Sequence, residues 1–115
     1  MSKASVRPRK AIVLAPGEGR AYPMGRISAV FKAAWLYDAG KSCGAEANAA
    51  KYLAGEACFD ACQQAVMTHG GYGYAREYHV ERYLRESFVG RIAPVSRELI
   101  LCFIAEKVLG LPKSY

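Results

Sequence analysis

The segment from Arg97 to Leu109 constrains this chain more than any other. Read as a helix, it spreads Leu99, Ile100, Cys102, Phe103, Ile104, Val108 and Leu109 over more than half of its circumference. An isolated helix cannot hide so broad a stripe, so a place deep in a bundle is expected. Ser96 is suited to cap its first turn, and Gly110 with Pro112 to end it. A packing partner lies upstream. From Ala45 to Thr68 a second helical run carries Ala50, Leu53, Ala54, Ala57, Ala61 and Ala65 as a narrow face of small residues. Such a face lets a neighbouring helix approach closely. Glu46, in the first turn of that run, suits the positive end of the helix dipole.

Two further helices complete the pattern. Ile27, Val30, Phe31, Ala34 and Trp35 recur at helical spacing, which predicts a helix from Ile27 with Trp35 and Phe31 turned into the core. Gly40 is placed to end it in the left-handed conformation. A shorter helix is expected over His79–Phe88, after which Gly90 and Pro94 break the chain. The sum is an all-α, up-and-down bundle of about four helices. The N-terminal arm reads otherwise. Pro16, Gly17, Gly19, Pro23 and Gly25 are too many breakers for a helix over 16–26, and Ala11–Ala15 (AIVLA) suits a short strand or an extended arm.

Composition bounds the rest. With 115 residues, 52% of them hydrophobic, the chain is too apolar for global disorder and has room for one domain. No apolar run approaches the ~20 residues that cross a bilayer, and no signal-type segment follows the basic N-terminus, so a cytoplasmic location is expected. The net charge of +6 lies wholly in residues 1–32, where Lys3, Arg7, Arg9, Lys10, Arg20, Arg26 and Lys32 face Glu18 alone. The step marks a boundary between a basic leader, 1–32, and a charge-balanced domain, 33–115. Such an arm could meet an anionic partner such as nucleic acid, but its charges are widely spread and aromatics are few.

HGGYGY, His69–Tyr74, is the most informative hexamer. A helix precedes it rather than a strand, so it is not the dinucleotide fingerprint. Consecutive glycines between helices can offer bare amides to a phosphate or sugar, or merely permit a sharp turn, which composition favours. Cys58 and Cys62, with His69 and His79, invite a zinc reading, but CxxxC within a helix is not the usual ligand spacing. Small buried residues at a helix contact are the simpler account, and no metal site is expected. Glu77, Glu81, Arg82, Arg85 and Glu86 suit a solvated, ion-paired face, with Arg82 or Arg85 available to an interface. No paired-carboxylate, Ser/His/Asp or phosphate-loop pattern is visible.

Joint spacing adds to this. AAWLYDAG (33–40), ANAAKYLAGEA (47–57), HGGYGY (69–74), VERYLRES (80–87) and the final helix resemble, without a gap, the C-terminal helical domain of acyl-CoA dehydrogenases over residues 33–112. The resemblance implies an FAD-dependent flavoprotein of fatty acid metabolism. Its reaction desaturates an acyl-CoA between the α and β carbons, a general base taking the α proton and the flavin the hydride. It implies an N-terminal helical, a middle β and a C-terminal four-helix domain, assembled as a homo-oligomer, usually a tetramer. Many members carry the catalytic Glu in a loop I-Y-E-G-T-S-E, which aligns with Ile92–Glu98 and puts Pro94 at the base position. Others carry the base on an earlier helix, which would precede Ala33. Gly70, Gly71, Ser96 and Glu98 match cofactor-contacting positions, whereas Met67 stands where a Gln is common.

The expectation is therefore a truncated dehydrogenase tail with no catalytic residue in view, inactive and binding no FAD alone; the alternative is a non-enzymatic, self-associating helical module. Residues 10–32 resemble instead the opening of small cupin proteins.

Overall fold

The computed structural model describes residues 21–113, with side chains from Arg26 onward. Ala11–Ala15 and the basic residues up to Arg20 lie outside the described residues. The remainder is all-α: among the described residues there is no strand. Helix α1 spans Ala21–Asp38 and α2 Gly44–His69. Two 3-10 turns follow, Gly70–Tyr74 and Arg76–Tyr78. Then come α3 (Val80–Ser87), the single turn α4 (Val89–Ile92) and α5 (Arg97–Phe103), which runs on into a π turn, Ile104–Val108.

Helix α1 begins earlier than its breakers allow by pattern. Pro23 falls in the first turn, where a missing N–H leaves no intrahelical bond unmade, so the helix extends back to Ala21. It ends as expected. Gly40 takes φ +66°, its amide donates to the Tyr37 carbonyl and that of Lys41 to Leu36, closing a Schellman motif. The helix is continuous through Lys32–Ala33, where the charge step falls.

Helix α2 is the spine. On one side α1 returns antiparallel to it, with Arg26 3.8 Å from Asp60 and Lys32 3.3 Å from Glu46. Here the inward face differs from expectation. Arg26, Ala29, Ala33 and Leu36 are the half-buried positions, while Ile27, Val30, Phe31 and Trp35 are exposed, Trp35 by 59%. Small side chains let α1 lie close on the Ala-rich spine, so the bulky stripe turns outward and Trp35 does not serve the core. Lys41 instead sits 5.1 Å over its ring.

On the other side the chain travels back along α2. Gly73 lies under Val66, Phe88 meets Phe59 edge-on at 4.9 Å, Gly90 faces Gly55, Val95 meets Lys51, and Phe103 reaches Gly44. One antiparallel pass thus covers the length of the spine. It makes almost no interior: among the described residues only Ala50, Gly73, Ser87 and Ile100 are buried. The last helix is not deep in a bundle, since Leu99, Leu101, Val108 and Leu109 are exposed and Ile100 alone is fully enclosed. Cys58 is exposed and Cys62 half-buried, so the pair is not a buried contact either. Here the spine has neighbours on two sides only.

Candidate functional site

The hexamer His69–Tyr74 uses its glycines in three different ways. Gly70 ends α2 at φ 59°, ψ −136°, a region open essentially to glycine alone. Gly73 is needed for space, because a Cβ there would collide with the Val66 carbonyl. Gly71 has neither constraint. Its φ is not positive and a Cβ on it would meet nothing within 4 Å. The backbone at Gly70 and Gly71 is therefore bare to the outside. Beside it, Tyr72 and Tyr78 pack at 5.3 Å between ring centroids, and the His69 ring lies 6.2 Å from Tyr78. His69 Nδ1 is 2.8 Å from the Ala65 carbonyl. A carbonyl only accepts, so Nδ1 carries the proton and Nε2 is left as the neutral ring's acceptor. Met67 is exposed beside this surface.

The loop before α5 is built on different anchors. Ser96 caps that helix, its Oγ accepting from the Leu99 amide at 3.3 Å. Glu98, largely exposed, pairs with Arg97 Nε at 3.3 Å. Pro94, which the resemblance sets at the base position, carries no side-chain group that accepts a proton. Beneath the loop, the Lys51 ammonium donates to the Val95 carbonyl at 2.7 Å and to that of Gly90 at 3.1 Å. One turn on, Glu56 receives Arg91 through two nitrogens, at 2.9 and 3.3 Å, and Arg97 at 3.4 Å. Arg91 also lies 4.3 Å over the Phe59 ring. Gly55 and Gly90 permit this approach, since a Cβ on Gly55 would come within 3.2 Å of the Gly90 oxygen.

The four residues matched to cofactor positions thus form two pairs, not one cluster. Gly70 and Gly71 lie past the C-terminus of α2, Ser96 and Glu98 over its N-terminal half. From Lys51 to Gly70 the spine rises about 28 Å at ~1.5 Å per residue, so the pairs stand far apart on one chain. Sequence reasoning missed Lys51, Gly55, Glu56, Arg91 and Arg97. The signals were a glycine inside an Ala-rich helix, marking a close approach, and a proline four residues after Gly90. Among the described residues no three His, Cys, Asp or Glu side chains stand together as a metal site would need.

The sequence matches the family described as acyl-CoA dehydrogenase, C-terminal domain, over residues 26–109. It is 50% identical over 86 residues to acyl-CoA dehydrogenase FadE12 of Mycobacterium tuberculosis, covering 73% of this chain and 22% of that protein. An acyl-CoA dehydrogenase of Bacillus subtilis is 41% identical over 81 residues, 70% of this chain and 21% of the other. The mitochondrial isobutyryl-CoA dehydrogenase of Bos taurus is 42% identical over 60 residues, 52% and 14% respectively. The chain spans about a fifth of the length of the first two. Nothing among these matches supports the cupin likeness of residues 10–32, and residues 26–32 fall within the dehydrogenase match.

Proposed function

The chain belongs to the acyl-CoA dehydrogenase C-terminal domain family, and from that premise we propose that it serves as the helical domain of an FAD-dependent acyl-CoA-desaturating protein without housing the catalytic base. The observation that carries the second half is Pro94, a residue with no proton acceptor at the position where many relatives hold a Glu. When bound, the flavin supplies the hydride acceptor of the reaction. The residues present fit such a group at one place: Gly70 and Gly71 leave bare backbone beside Tyr72 and Tyr78, a surface that a phosphate, sugar or planar ring can approach. Ser96 and Glu98 would contribute hydroxyl and carboxylate contacts from the loop before α5. Separated as they are along the spine, the two pairs suit contacts to different bound groups or in different subunits of a homo-oligomer. Acyl-CoA would be met only in that assembly.

The charge step divides a basic leader, 1–32, from a helical domain, 33–115, but that step falls inside α1. The continuity of α1 and a family match from residue 26 favour reading the last turns before Ala33 with the domain. No described helix is long and apolar enough to cross a membrane. A cytoplasmic location belongs to the same reading, a reducing compartment suiting the free thiols of Cys43, Cys58, Cys62 and Cys102.

Purification of the 115-residue chain tests this directly. The expected product is colourless and fails to reduce an acceptor dye with acyl-CoA. A yellow, FAD-loaded preparation that turns over substrate would overturn it. A second reading, a self-associating helical module, is favoured by the exposed stripe of α1 and is taken up below at the scale of the molecule.

A further inference from the structure

We infer that Lys51 is the positioning residue of the loop Ala93–Ser96, an inference that rests on the reading above only for why that loop matters. Two carbonyls frame the loop, and neither has a helical amide to accept from. In a continuing helix the Gly90 carbonyl would accept from the amide four residues on. That residue is Pro94, which has no N–H. The Val95 carbonyl precedes the Ser96 cap and so lies outside the ladder of α5, whose first bond runs from the Ile100 amide to the Ser96 carbonyl. The Lys51 ammonium supplies both, at 3.1 and 2.7 Å, and so ties the two sides of the bend to a single point on the spine.

The tie is specific to a cationic donor on a long stem. It reaches from α2 across the gap that Gly55 and Gly90 leave narrow, and one group satisfies two charge-assisted bonds. Glu56 holds the flanks rather than the bend. It pairs Arg91 before the loop and Arg97 after it, whereas the Lys51 ammonium bonds the backbone itself, at Gly90 and Val95. Ser96 follows Val95 directly and Glu98 two residues later, so Lys51 sets the direction in which α5 presents them. It touches no proposed ligand itself.

Hydrogen exchange on the full chain tests this. Lys51→Met keeps the stem and removes the donors; Lys51→Arg keeps a cationic donor. In K51M the amides of Ala93, Leu99 and Ile100 should exchange about tenfold faster, while those between Ala65 and Gly73 stay as they were. K51R should restore most of the protection, and far-UV circular dichroism should match across all three proteins. Unchanged exchange at 93–100 in K51M overturns the inference. So does acceleration spread evenly over the spine, which marks a merely structural side chain, and so does a K51R chain that exchanges as K51M does. Because the readout needs no flavin, a chain that binds none leaves it standing, and a failed exchange pattern leaves the family assignment untouched.

Discussion

Gly70, Gly71 and Gly73 show how one residue type answers two separate demands, and leaves one position unconstrained, within four positions. Gly73→Ala places a methyl against the Val66 carbonyl and should cost about 1–3 kcal/mol, since backbone on both sides must shift. Gly70→Ala strains a φ of 59° with ψ −136° and should cost a similar amount. Gly71→Ala meets open space and should stay within about 0.5 kcal/mol of the parent in urea denaturation. A large loss there would remove the argument that Gly71 is spared for something outside the chain. Thiol chemistry offers a second residue-level test. Burial pushes the Cys62 thiol up, with Cys58 beside it adding to the effect and Ser87 opposing it. Cys62 therefore stays protonated to higher pH than an ordinary cysteine, and Cys58 is exposed. Alkylation near pH ~8 followed by mass spectrometry should mark Cys58 first.

At the scale of elements, the helices were legible and their facing was not. Breaks at Gly40, Gly70 and Ser96 are local chemistry, and the structure puts helix ends within a residue or two of where those residues predict. Which side of α1 turns inward is a different matter. The bulky stripe Ile27, Phe31, Trp35 has the stronger hydrophobic period, and Ala29, Ala33 and Leu36 the shape that fits an alanine-rich spine; shape decided. The clamp of Lys51 and Glu56 was illegible for another reason, since its carbonyls become orphans only once the chain has folded back. The α1–α2 pair also carries a pH dependence. Glu46 is held below the ordinary carboxylate value, first through its own backbone amide and then through Lys32, 3.3 Å away. A lowered folded value gives stability that is present above the ordinary carboxylate pKa and lost as pH falls through the lowered one. Glu46→Gln should flatten that acid limb and lower stability near neutrality by the same small amount, since the pair is solvent-accessible. An acid limb as steep in the variant as in the parent would assign the sensitivity elsewhere.

For the molecule as a whole, the disproportion between apolar content and interior sets the expected behaviour. The chain is 52% hydrophobic, yet among its described residues Ala50 and Ile100 are the only buried apolar side chains. Ile27, Val30, Phe31 and Trp35 line one face of α1; Leu99, Leu101, Val108 and Leu109 are exposed on α5 and the turn that follows. Contiguous apolar surface of this kind associates, because water gains about 25 cal/mol for each Å² removed from it. The isolated chain should therefore sediment as a concentration-dependent mixture heavier than a monomer. Phe31→Glu with Trp35→Glu changes only the outward face of α1 and should shift that mixture towards monomer with helicity retained. Leu36→Ala alters the inward face instead and should cost about 2 kcal/mol or more in folding. The two variants thus separate association from folding on a single helix. If the parent sediments as one monomeric species at every concentration, the exposed face of α1 does not drive self-association, and the helical-module reading goes with it. If association persists in the double variant, the face responsible lies on α5 and the turn that follows, where Leu99, Leu109 and Leu111 offer the next exposed surface.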